Sequence, residues 1–69
     1  MNFVERIKQE RKELNDRIEK LSDFLDERFV ENVKRLDKIS SGNKILLHKQ
    51  LEKMIEYRDI LDIRIELNT

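Results

Sequence analysis

Cysteine, proline and tryptophan are absent from this 69-residue chain, and glycine and histidine occur once each. Without cysteine there is no disulfide, and His48 alone makes no metal site of nitrogen and sulfur ligands. The scarcity of turn residues argues against a sheet, whose strands need frequent reversals. Neither charge is in excess: fifteen Lys and Arg balance fifteen Asp and Glu. That balance excludes a generic nucleic-acid binder, which displaces counterions from phosphates with surplus positive charge, so no long nucleic acid is expected as a partner. No apolar run approaches the roughly 18 residues of a membrane span. The segment from Met1 to Lys8 mixes charges into its apolar positions and lacks the apolar stretch of a signal peptide, so a cytoplasmic protein with no membrane contact is expected.

What is present is charge, 43% of residues against 38% hydrophobic, the composition of long helices with much exposed surface. Residues 1–69 are expected to form a single helical domain with a small core, because a short chain buries a smaller fraction of its surface than a long one. Small folds make up the shortfall with disulfides, a metal or self-association. The first two lack ligands here, which leaves a homo-oligomer.

Phe3, Val4, Ile7, Leu14, Ile18, Leu21 and Leu25 recur at helical spacing and fall within an arc of about 100°, the core stripe of an amphipathic helix interrupted by Arg11 and Ser22. Phe29, Val33, Leu36 and Ile39 continue almost in phase. Either one helix runs from about Asn2 to Ile39, or it bends near residues 26–28, where Asp26, Glu27 and Arg28 give little packing reason to stay straight. A straight helix would span roughly 55 Å and would leave Phe3, Val4 and Ile7 beyond the reach of the second helix. Ser40-Ser41-Gly42-Asn43 is the clear punctuation, with Ser40, Ser41 or Asn43 available to cap a second helix over about 41–67. That helix is apolar at Leu46, Leu47, Leu51, Met54, Tyr57, Ile60, Leu61 and Ile65, widened by Ile55, Ile63 and Leu67 to an arc above about 200°. More than one neighbour must cover such an arc. The fold expected is all-α: an antiparallel long-helix hairpin, bent or straight, assembled into a helical homo-oligomer.

On the last helix Glu52, Glu56, Asp59, Asp62 and Glu66 are expected opposite the apolar arc, with Gln50, Lys53, Arg58 and Arg64 within or beside it. Arg11 does the same on the first helix. Arginines aimed at packing surfaces either lay their stems on the core and pair with acids, or form an anion pocket at a helix interface. Tyr57 is either a core aromatic with one partner for its hydroxyl or a stacking platform for a base. Phe24 lies off the stripe, where a neighbouring protomer or a ligand would cover it. No Gly-rich loop, nucleophile elbow or catalytic triad is present, and no cofactor or metal is implied. The carboxylates lie on solvated faces without burial to raise their pKa, so the chain is not expected to be an enzyme.

Glu5-Arg6, Leu14, Arg17, Lys20-Leu21 and Phe24-Leu25, then Phe29, then Leu46-Leu47, Gln50, Met54, Tyr57, Leu61 and Arg64 form a pattern over nearly the whole chain. It resembles a family of short helical bacteriophage proteins that includes the anti-CBASS sponges. The resemblance implies a compact helical hexamer in the host bacterial cytoplasm that sequesters cyclic di- or trinucleotide immune signals without cleaving them, in pockets at subunit interfaces. In those sponges a Lys near the end of the first long helix holds a phosphate, and Lys20 matches it. A hydroxyl residue two positions later, matched by Ser22, lines a second pocket with an Arg of the last helix, for which Arg58 and Arg64 are both candidates. The family's stacking Tyr has no counterpart; its place falls near Glu5, and Phe3 is the closest aromatic. Two other classes share the same stripes: a structural coiled-coil or adaptor protein, and a helical enzyme similar to chorismate mutase, whose charged residues Arg11, Arg28, Lys38 and Glu52 echo.

Overall fold

The computed structural model describes residues 2–69 as three helices, α1 (Phe3–Phe24), α2 (Val30–Leu36) and α3 (Ser41–Leu67). Asn2 starts α1 by accepting the amide of Glu5 on its side chain at 2.8 Å, and Ser40 starts α3 by accepting the amide of Asn43 on Oγ at 3.3 Å. Both caps satisfy amides that a helix N-terminus leaves without a partner. Gly42 lies inside the first turn of α3 without a positive φ, so the punctuation belongs to Ser40 and not to a left-handed glycine.

Of the two courses left open for the first half, the chain takes the broken one. A straight helix over residues 2–39 would need roughly 55 Å at the helical rise, more than the 44 Å longest extent of the molecule. The break has a chemical cause. Asp26 accepts the amide of Arg28 on its own carboxylate at 3.0 Å, the side-chain turn that Asp favours, and the Arg28 guanidinium grips both carboxylate oxygens. That grip holds the Asp26 carboxyl below its ordinary pKa. Buried Asn32 reaches back from α2 and donates Nδ2 to the carbonyls of Asp23 at 2.6 Å and Asp26 at 3.0 Å, closing the open end of α1.

The break also changes which residues lack partners. Ile7 is buried with Leu14 and Ile18 against Leu61, the central residue of the core, and Val4 is half-buried. The expected unpaired end thus shrinks to Phe3, which is half-exposed. Leu51, Met54, Ile55 and Ile65 complete the α1–α3 seam, while Leu25 and Leu36 bury the turn. Phe29, placed on the stripe by its spacing, is instead 59% exposed at the N-cap of α2.

The broad apolar arc of α3 resolves into two opposite faces. Leu47, Leu51, Met54, Ile55, Leu61 and Ile65 are buried or half-buried, whereas Ile45, Leu46, Ile60, Ile63 and Leu67 are exposed. Asp62 was expected opposite the apolar arc, and the structure corrects this. It stands at the edge of the seam, because the polar strips of a two-faced helix run along the flanks of its contact.

Candidate functional site

The seam between α1 and α3 has two flanks, and each gathers a different set of side chains. On one, Arg11 Nε meets Asp62 Oδ1 at 2.8 Å, which raises the pKa of the guanidinium, and Arg58 Nη1 donates to Asn15 Oδ1 at 3.0 Å. Arg58 is half-buried; its Nε is buried without a hydrogen-bond partner, and Asp59 Oδ1 stands 3.9 Å away, too far to bond. On the other flank the Tyr57 hydroxyl donates to Glu10 Oε1, and the Arg64 guanidinium lies 5.6 Å from the centre of the Phe3 ring, a cation–π contact. The bond to Glu10, then partial burial, push the Tyr57 phenol above its ordinary pKa, and the charge of Arg64 opposes them.

Lys20 and Ser22 sit near the close of α1. Two residues turn a helix by about 200°, so the two side chains leave on nearly opposite sides. Ser22 falls on the flank of Arg11 and Asn15, seven residues beyond Asn15 and therefore two turns along from the Arg58 contact. Lys20 points away from α3 into a cleft of about 820 Å³ formed where α1 gives way to α2. Phe24 and Phe29 supply its aromatic faces, Lys20 and Arg35 its cations, Asp23 and Glu31 its carboxylates, and Asn32 fixes its floor. Among the described residues neither Lys20, Arg35 nor Arg64 forms an ion pair.

The seven residues singled out in the sequence therefore do not converge in one chain. Phe3 is seventeen residues from Lys20, roughly 25 Å of helix, and Arg64 is held over Phe3. Arg58 is the arginine on the flank of Ser22; Arg64 and Tyr57 lie on the other. Arg35 and Asn32 were missed. Asn32 had a signal, a polar residue four before buried Leu36 in the register of the apolar stripe, whereas Arg35 joins the cleft only through the turn. His48 is exposed, and no group of three His, Cys, Asp or Glu side chains among the described residues is placed to hold a metal.

The cleft can do three things chemically. Its cations can pair with phosphates, its rings can stack on bases, and its carboxylates can accept from the amino edges of bases. The Sequestin family model matches residues 1–67. The chain belongs to the Sequestin family. That membership agrees with the resemblance to phage sponge proteins drawn from Lys20-Leu21, Phe24-Leu25 and the pattern of the last helix. No curated protein and no solved structure matches the chain. No described helix is long and apolar enough to cross a membrane.

Proposed function

We propose that this Sequestin is a phage counter-defence protein, a single helical domain over residues 1–69 that sequesters cyclic di- or trinucleotide immune signals in the host bacterial cytoplasm without cleaving them. The family name supports binding and retention. The observation that carries the reading is Lys20, a cation without a carboxylate partner at a cleft walled by Phe24 and Phe29. Lys20 holds a phosphate, with Ser22 and Arg58 lining a second position on the other side of α1. Phe3, Arg64 and Tyr57 lie on the other flank of the seam and Arg11 is paired with Asp62 on the flank of Arg58, so these four reach a ligand at Lys20 only from another copy. Pockets of this kind lie between subunits of a homo-oligomer, a hexamer by resemblance, whose symmetry repeats each cation around a symmetric anion. The carboxylates at the cleft, Asp23 and Glu31, are exposed, without the burial that tunes a carboxyl for acid–base chemistry.

The test is to incubate the protein with cyclic di- and trinucleotides, mononucleotides and pyrophosphate-linked dinucleotides. The protein is then filtered out, denatured, and its released ligand chromatographed. Depletion of a cyclic oligonucleotide and its return intact is the expected result. A linear product would make the chain an enzyme, and depletion of pyrophosphate-linked dinucleotides alone would move the ligand class. No depletion of any compound overturns the reading.

A further inference from the structure

We infer that the outer face of α3 is a contact between two copies of this chain, paired antiparallel about a two-fold axis. The inference rests on the self-association in the preceding reading and specifies its geometry. Ile45, Leu46, Ile60, Ile63 and Leu67 are all more than half exposed and share one side of α3, with Lys49, Lys53 and Glu56 between them. Five exposed large aliphatic side chains gathered on one helix face are the kind of patch that marks a protein–protein contact.

Charge selects the occupant and its direction. In an antiparallel pair centred between residues 54 and 55, Lys53 stands opposite Glu56 of the partner subunit, and symmetry makes the same ion pair twice. Leu46 then stands opposite Ile63 of the partner subunit, and the stem of Lys49 covers Ile60 of the partner subunit. Leu67 falls on Gly42 of the partner subunit; Gly42 has no atom within 4 Å of where a Cβ would stand, which leaves room for it. A parallel pair would set Lys53 against Lys53 and Glu56 against Glu56, like charges in apposition, and would align the helix dipoles unfavourably. In the monomer Lys53 Nζ and Glu56 Oε2 are 3.3 Å apart on the surface, a contact that an intermolecular exchange replaces without loss of pairing.

The antiparallel register also brings Arg64 of the partner subunit level with Ile45, at the end of α3 beside the close of α1. Lys20 points away from α3, so this contact sets it and Arg64 of the partner subunit at the same height but on opposite sides of the protomer, and joining them at one ligand takes a further copy.

Because the chain has no cysteine, engineered thiols are the only ones present. Leu46→Cys and Ile63→Cys alter exposed positions and leave the core intact, which circular dichroism verifies. Under mild oxidation an equimolar mixture of the two variants is expected to form a disulfide dimer, while either variant alone forms little. Cross-linking of either alone to the same extent as the mixture overturns the antiparallel register. So does the absence of any disulfide. Sedimentation equilibrium separates the two levels of failure: an 8.5 kDa monomer at micromolar concentration removes self-association altogether and leaves the face to a different protein, whereas an oligomer without the mixed disulfide removes only this interface. Lys53→Glu and Glu56→Lys are each expected to weaken association at least several-fold, and the double variant to restore it. Equal association of all four forms overturns the charge pairing.

Discussion

Arg58 reaches across the helix seam to Asn15, Nη1 to Oδ1 at 3.0 Å, and in doing so places its guanidinium where the core ends. An arginine with its Nε buried and unpaired is held by packing as much as by charge. Arg58→Ala should lower stability by about 1–2 kcal/mol through the lost hydrogen bond and stem contacts. For a chain of this size that is a fall in melting temperature of about 5–15 °C. Melts at one fixed protein concentration check it. Asn15→Ala should cost less, and the pair should couple by about 0.5–1.5 kcal/mol in a double-mutant cycle. Additive effects would mean that the contact contributes nothing.

Asn32 is the buried polar side chain that makes the break. Asn32→Leu removes both donations, to the carbonyls of Asp23 and Asp26, and leaves those acceptors partly covered without partners. A cost of about 1–3 kcal/mol is expected. Hydrogen exchange should rise over residues 25–36 while the α1–α3 seam stays protected; uniform loss of protection would show that the turn does not open as a separate unit.

Tyr57 gives the seam a dependence on alkaline pH. Its folded-state pKa is raised, chiefly by the hydrogen bond to Glu10. A group whose pKa rises on folding adds stability that is complete below the unfolded pKa, about 10 for tyrosine, and is lost as pH rises through the folded value. The wild-type protein should therefore be more stable than Tyr57→Phe by a constant margin from neutral pH to about 9, and the margin should shrink only as pH rises past about 10 and through the raised folded value. Urea titrations across the range test this, and a margin that persists once the phenol ionises would rule out the hydrogen bond as its source.

The cations divide by role. Lys20→Ala should weaken binding of a retained nucleotide by roughly 1.5–3 kcal/mol, as expected for a charge-assisted bond to phosphate, without changing the melt. Arg64→Ala should lower binding only if a second copy brings it to the site, because in its own chain it lies over Phe3. Arg58→Ala should lower the melt first. Calorimetric titration and thermal melts on the same three variants separate these cases, and equal binding by all three would remove Lys20, Arg58 and Arg64 from the ligand site.

The helices were largely legible in the sequence, since each depends on residues close together in the chain. Ser40 capped α3 where its hydroxyl stood three residues before an orphan amide, and the 3.6-residue period of Ile7, Leu14, Ile18 and Leu61 named the core. A wheel also separates Lys20 from Ser22, because it fixes directions about a helix's own axis. What a wheel lacks is the neighbour. The length of α1 was decided by Asn32 folding back onto carbonyls six and nine residues away. The position of Asp62 was set by Arg11 on another helix. Phe24, Phe29, Lys20 and Arg35 became one cleft only because the chain turns at Asp26. Tertiary structure settled these points because a hydrogen bond, an ion pair or a cleft is governed by distance through space, while a sequence fixes distance only within a few turns of one helix.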